Sequence, residues 1–593
     1  MSSAVETFQL LDPRLAVADN VRYGVEVGPQ SQNQQTFRSQ TVSTSQVTAN
    51  CLIPSLQTVI DRNVRIRTQF TLAITGTTNV AGALINYPTN CVLSPFPFSQ
   101  CVQTLTCQIN NTSVNSNYET NLALMLRQMD QADLAKYSDF APCSLDYYGV
   151  NPPVVISAAP ATLIPDRTLS AFNAAELTGL GYDVKSRGSF KIDSVAGDSV
   201  AGTGARTVYI QVTTTEPLFI SPFLFGDGLC EKASGLSGVS SINLNFNLGQ
   251  ALSGRAITYR PYLTGDALTA VALHSVDSFE VLMTFLSPKP SQLIPLTNCL
   301  PYYEMPSYKT ISPQTAAVGA SFTINSSIVS PNSIPDSVYM FVRYTGETAL
   351  IRASQNEVYF PIKSVAVTWN TQSGLLASAT QQTLYEMSKR RGLKMDWPQF
   401  SGSAQAVGAV PVNANVANNN ASIQTTGGIV CLAFNQDIPI QEQYYSSGSL
   451  GLWSFSAQVT CINNTAAQLV GTAPLELVVV FFQSGIFQST SGSSSQYIGV
   501  LSKDECLRVS QEPYVTHNQH YRIVGGDHFL DSMMKGSEGK MKSLVKDVLG
   551  EGRGVSGGQD AMEASGRGRG RGISGGMDDL AVEGGRRRGP RTY

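Results

Sequence analysis

Apolar and polar residues alternate with a period of two, and they do so in two separate stretches of the chain. Val64, Ile66, Phe70, Leu72 and Ile74 fall on one face of an extended segment, with Asn63, Arg65, Arg67, Gln69 and Thr71 on the other. That period marks a strand with one side in a core and one side in water. It recurs at Leu105, Cys107 and Ile109, at Val208, Ile210 and Val212, and at Ile242, Leu244, Phe246 and Leu248. After residue 300 it returns at Val338, Met340 and Val342 and at Val365, Val367 and Trp369, followed by an apolar run from Leu475 to Phe482. A chain of 593 residues needs more than one hydrophobic core. Two runs of short strands, one in each half, predict an all-β fold of two sandwiches in tandem.

Helical spacing is confined to Tyr118–Met129 and Ala379–Arg390, the latter with basic residues in its last turn; both read as short helical insertions. Leu286–Pro306 carries five prolines and reads as the linker, because proline opposes both helix and central strand. The expected organisation is an N-terminal arm (1–44), a first sandwich (45–290), a linker (291–306), a second sandwich (307–495), a C-terminal arm (496–550) and a tail (551–593). In the arm, His528–Leu549 places Phe529, Leu530, Met533, Met534, Met541, Leu544, Val545 and Val548 near one helical face. Gly536 and Gly539 weaken its middle, each by about 1 kcal/mol against alanine, so a broken amphipathic helix is expected. The tail holds 13 glycines and almost no large apolar residue, which predicts disorder, since it buries too little surface to offset the entropy of ordering.

Charged residues make up only 14% of the chain, against roughly 25% in ordinary soluble domains. A surface covered by neighbours accounts for such a deficit. No apolar run approaches the roughly 20 residues of a membrane helix. The N-terminus has neither a basic nor an apolar signal region, which implies synthesis in a reducing compartment. The sequons at Asn110, Asn111, Asn325, Asn420 and Asn463 then lose their meaning. Ten scattered cysteines without a C-x-x-C pair read as buried free thiols, Cys101 and Cys107 facing one side of a strand. Residues 551–593 hold eight arginines and six acids, leaving 32 bases against 37 acids elsewhere. A mildly acidic body does not hold nucleic acid by counterion release, so any genome contact falls to the tail. There Arg567, Arg569 and Arg571, with Arg586, Arg587, Arg588 and Arg591, form arginine–glycine segments suited to phosphates and bases. Asp578, Asp579 and Glu583 dilute their field.

Catalytic and metal chemistry finds little support. His517 and His520 lie three apart with His528 nearby, but without H-E-x-x-H or a cysteine pair they read as polar loop residues. His274 sits on a strand-like stretch. Gly554–Gly558 and Gly572–Gly576 match G-x-S-x-G, yet a glycine-rich tail supplies neither the strand nor the helix of a nucleophile elbow. No Walker loop is present. The expectation is no catalytic residue, no cofactor and no metal. The competing class, a β-sandwich enzyme or carbohydrate-binding protein, would need a concave site with convergent acids or a metal. Gly402–Gly427 reads as an exposed loop.

Several blocks resemble the major capsid proteins of Polinton-like viruses and virophages, within the double jelly-roll lineage. In the first half they are TVIDRNVRIRTQFTLAI from Thr58, CQINNTSVNSNYETNLALMLR from Cys107 and EPLFISPF from Glu216. In the second they are NSIPDSVYMFVR from Asn332, FPIKSVAVTWNTQSGLLASATQQTLYEMSKRRGL from Phe360, WSFSAQVTCINNTAAQLV from Trp453 and LELVVVFFQSGIF from Leu475. The resemblance spans roughly residues 45 to 490. It implies two jelly rolls standing perpendicular to a shell and a homotrimer forming a pseudo-hexagonal capsomer of an icosahedral double-stranded DNA virus. It also implies partners in neighbouring capsomers, penton and minor capsid proteins, and a place in the virion. A penton or RNA-virus coat would show a single roll. The amphipathic arm is expected to pack under the shell, an internal membrane surface being the other use of such a helix. Ile573-Ser574-Gly575-Gly576 before Met577 resembles the sites of adenovirus-type maturation proteases, which makes Gly576 and Met577 the expected cleavage pair.

Overall fold

The computed structural model describes residues 31–78, 84, 91–128, 190–197, 204–223, 235–259, 267–287, 294, 296–314, 317, 319–345, 359–406, 421–424, 427–440, 445–463 and 474–498. The first half contains β1 (Ser31–Arg38), β2 (Thr41–Val42), β3 (Gln46–Leu52), β4 (Val59–Ile60), β5 (Arg65–Thr78), β6 (Cys91–Leu93), β7 (Val102–Ile109), β8 (Thr112–Asn117), β9 (Phe190–Ala196), β10 (Gly204–Pro217), β11 (Ser241–Leu248), β12 (Ile257–Tyr259) and β13 (Ala267–Ser287). The second contains β14 (Thr297–Glu304), β15 (Ser307–Ser312), β16 (Ser321–Asn325), β17 (Ser337–Tyr344), β18 (Ile362–Trp369), β19 (Gln372–Leu375), β20 (Ser403–Ala406), β21 (Ala421–Gln424), β22 (Val430–Ala433), β23 (Phe455–Ile462), β24 (Leu475–Thr490) and β25 (Ser493–Ile498).

Eight strands in each half carry the architecture. In the first, β1-β13-β5-β10 face β3-β11-β7-β8; in the second, β15-β24-β17-β22 face β16-β23-β18-β19. Numbered by position among their eight, both halves read 1-8-3-6 against 2-7-4-5. That order is two interlocked Greek keys, the jelly roll. The alternating faces seen in sequence are the inner faces: Phe70, Leu72 and Ile74 of β5 lie opposite Val212, Ile210 and Val208 of β10, all fully buried.

The same turn is built twice. Asn110, between β7 and β8, and Asn370, between β18 and β19, both have a φ of 52°, a left-handed conformation that asparagine tolerates. Each side chain accepts a backbone N–H from the segment leading into the seventh strand, Ser240 at 2.7 Å and Ser454 at 2.9 Å. A helix follows the fifth strand in both rolls, Tyr118–Gln128 and Gln381–Arg390. The second starts at Thr380, whose hydroxyl accepts the Thr383 N–H.

Four expectations need adjustment. Ser31–Arg38, assigned to an N-terminal arm, pairs along its whole length with β13. Thr297–Glu304, inside the proline-rich stretch, is a strand; β14 lies at the edge of its sheet, where Pro301 withdraws no needed donor. Cys101 closes a short helix, Pro97–Cys101, and so does not share a strand with Cys107. Val338, Met340 and Val342 are not on a half-buried strand, because every residue of β17 is buried. Among the described residues Cys51, Cys101, Cys107, Cys431 and Cys461 are buried free thiols. Burial pushes Cys51, Cys101 and Cys431 up to about 12, so they pack as small apolar groups and hold no thiolate.

Candidate functional site

Among the described residues, a cluster of charged and hydrogen-bonding groups gathers where the rolls meet. β17 and β24 lie at that junction. Val338, Met340, Val342, Leu477, Val479 and Phe481 point into the second sandwich. Tyr339, Phe341, Val478, Val480 and Phe482 point the other way, into one continuous core with the first roll. Both faces of these strands are therefore dry, which requires an unbroken apolar run in place of alternation. Phe482 anchors the contact, its ring 4.9 Å from Tyr303 of β14 and 6.5 Å, edge-on, from Tyr339.

A charged cluster crosses the same junction. Arg343 of β17 donates through Nε to Glu476 Oε1 of β24 at 2.5 Å and through Nη1 to the Glu119 carbonyl at 3.0 Å. That carbonyl, at the start of the first roll's helix, also accepts from Arg255 Nη1 at 2.8 Å. Lys309 of β15 meets Glu119 Oε1 at 2.5 Å, and Arg343 Nη2 lies 4.0 Å from the same oxygen. Burial by itself raises the Glu119 carboxyl, but the Lys309 hydrogen bond and charge, with Arg255 and Arg343, hold it below the ordinary glutamate range. A carboxyl with a depressed folded pKa stabilises above its unfolded value and loses that contribution as pH falls through the folded one. Glu119→Gln is therefore expected to flatten the acid limb of a stability-versus-pH curve, measured by thermal melts between neutral pH and pH 3. An unchanged acid limb would exclude Glu119 as its source.

Small polar groups complete the seam. Ser494 of β25 donates its N–H to Asn111 Oδ1 at 2.7 Å and its hydroxyl to the Ile109 carbonyl at 2.5 Å, while Thr112 donates to the Ser494 carbonyl at 2.6 Å. Ser489 Oγ reaches the Ser237 carbonyl at 2.5 Å, and Asn121 Nδ2 the Met305 carbonyl at 2.9 Å. Within the first roll Glu216 is fully enclosed. It accepts from the N–H groups of Phe98 and Ser99 at 2.8 Å, from Thr214 at 3.0 Å, and from the Ser99 hydroxyl. Burial pushes its carboxyl up, against those four donors.

Of the histidines weighed in the sequence, His274 alone is among the described residues. His274 lies on β13 with its ring 4.8 Å from Tyr209. Among the described residues no three His, Cys, Asp or Glu side chains are placed to hold a metal, and no helix is long and apolar enough to cross a membrane. His517, His520, His528, the amphipathic arm, both G-x-S-x-G segments, Gly576, Met577 and the seven tail arginines lie outside the described residues. The junction charges were not singled out from sequence. Their signal was there, since Arg343 and Glu476 are lone charges inside apolar runs.

Two jelly rolls fused through a buried, ion-paired junction make this a double jelly-roll protein. Residues 3–286 match the family "Sputnik virophage major capsid protein 1st domain", and residues 305–485 match "Major capsid protein V20 C-terminal domain". The chain is 28% identical over 557 residues to the Sputnik virophage capsid protein V20, covering 91% of this chain and 87% of that protein. Its fold superimposes on the cryo-EM structure of the Sputnik virophage with a TM-score of 0.68 at 24% identity, over 88% of this chain and 99% of the other. It superimposes on the crystal structure of the mavirus major capsid protein with a TM-score of 0.63 at 16% identity, over 86% and 99%. The chain belongs to the major capsid proteins of virophage-like viruses.

Proposed function

We propose that three copies of this chain form a pseudo-hexagonal capsomer, the repeating unit of an icosahedral double-stranded DNA virus, and that the chain works by packing and not by catalysis. The observation that carries this reading is the fusion of two like rolls in one chain through a shared core. Three such pairs present six rolls around an axis, which tile a hexagonal lattice with closed symmetry. The division into arm (1–44), rolls (45–290 and 307–495), linker (291–306), C-terminal arm (496–550) and tail (551–593), amended so that Ser31–Arg38 joins the first roll and Thr297–Glu304 the second, belongs to the same proposal, with neighbouring capsomers, penton and minor capsid proteins as partners in the virion. Electron microscopy of the purified protein is expected to show three-sided particles, with a mass three times the 63.6 kDa of one chain. A monodisperse monomer at capsid-assembly concentrations would overturn it.

The tail is proposed as the inward contact to the genome through Arg567, Arg569, Arg571, Arg586, Arg587, Arg588 and Arg591. Deleting residues 551–593 is expected to spare trimers while weakening salt-sensitive DNA retention, because guanidinium–phosphate contacts release counterions. Retention unchanged across a salt titration would count against that role. Cleavage between Gly576 and Met577 by a maturation protease is proposed with it, and virion protein ending intact at Tyr593 would rule it out.

A further inference from the structure

From Trp397 to Gln436 the chain contains no Asp, Glu, Lys, Arg or His. In the middle of that stretch β20 and β21 form a sheet of two strands only, pairing Ser403 with Gln424, Ala404 with Ile423, Gln405 with Ser422 and Ala406 with Ala421. The hairpin rises from a firm mount. Gly402 and Gly427, its two feet, both take left-handed φ values, 75° and 71°. A Cβ on Gly402 would lie 2.0 Å from Pro361, and one on Gly427 1.9 Å from the Tyr359 carbonyl oxygen. Both feet therefore press against the segment that enters β18. Trp397, in the short helix leading into β20, is 39% exposed beside Tyr385 and Phe400.

An isolated two-stranded hairpin is marginal in water, and each open edge offers unpaired N–H and C=O groups to another strand. Folded proteins guard such edges with lysine, proline or a bulge. None of these occurs in β20 or β21, whose register is unbroken. Among the described residues no third strand pairs with either edge. Depletion of charge is the mark of the centre of a protein–protein interface, most of all between like subunits. Identical neutral hairpins also meet without like-charge repulsion, so a copy of the chain fits this edge better than an acidic or basic partner.

We propose that the β20–β21 hairpin adds strand to strand onto a second copy of this chain, making it a subunit interface of the capsomer. The proposal rests on the trimer reading above and names the surface through which the trimer is held. The test uses the full chain with Ala404→Lys and Ile423→Lys together, followed by light scattering over a concentration series and by hydrogen exchange of residues 403–406 and 421–424. Trimer dissociation is expected at concentrations at least tenfold higher than for the unaltered chain, with faster exchange in both strands. A trimer indifferent to both lysines overturns the hairpin interface alone, whereas an unaltered chain that is monomeric throughout removes the capsomer reading. If the lysine variant does not fold, excision of Ser403–Gln424 decides. A folded chain that no longer trimerises supports the interface; an intact trimer, or a second failure to fold, overturns it.

Discussion

Arg343→Met is expected to destabilise the protein by about 3–5 kcal/mol, the range found when one member of a buried ion pair is removed. Arg343 and Glu476 face each other at 2.5 Å with almost no access to solvent. Deleting the guanidinium leaves Glu476 charged in a dry junction. It also withdraws one of the two guanidinium donors to the Glu119 carbonyl. Replacing both partners, Arg343→Met with Glu476→Met, removes the stranded charge and is expected to restore most of the loss. Equilibrium unfolding in urea separates the outcomes: a double variant as unstable as the single one would mean that the pair does not act as a unit.

Phe482→Ala is expected to cost about 3–5 kcal/mol, as for other large aromatic residues deleted from a packed core. Its second effect distinguishes it from an ordinary core deletion. Phe482 belongs to the core shared by the rolls, between Tyr303 and Tyr339, and leaves the interior of the second sandwich untouched. The variant should therefore loosen the rolls from each other more than it loosens either one. All three tryptophans, Trp369, Trp397 and Trp453, lie in the second half, so their fluorescence follows that roll while far-ultraviolet circular dichroism follows both. The unaltered chain is expected to show coincident transitions and Phe482→Ala two separated ones. Coincident curves in the variant would contradict the coupling role.

Period-two alternation revealed the first sandwich well, because β5, β7, β10 and β11 each bury one face. It was misleading at β17, where the polar positions that mark an outer face are missing. The reason is the neighbouring roll, which no local window contains. Proline misled at β14 for a related cause, since whether a strand is central or at an edge depends on partners nearly 200 positions away, here Ile486 opposite Pro301. The charged junction draws Glu119, Arg255, Lys309, Arg343 and Glu476 from five elements, so no spacing rule reaches it. Two lone charges in apolar runs were its only trace. Periodicity supplied two sandwiches in tandem and the family blocks their jelly-roll topology, while the hairpin at β20–β21 was visible beforehand only as an exposed loop.

β24 closes the second roll along β15 and β17 and shares with the first roll the core around Phe482. It is also almost the last described segment to leave the ribosome. Between the emergence of Ser287 and that of Thr490 the first roll waits, with the face that β24 will cover still wet. At usual synthesis rates of about 5–20 residues per second the wait is roughly 10–40 s. A chain cut short in that interval lacks the strand that seals both halves. Synthesis through Thr490 is thus the condition for sealing both halves, and a chain ending before that point keeps the Phe482 side of the first roll uncovered.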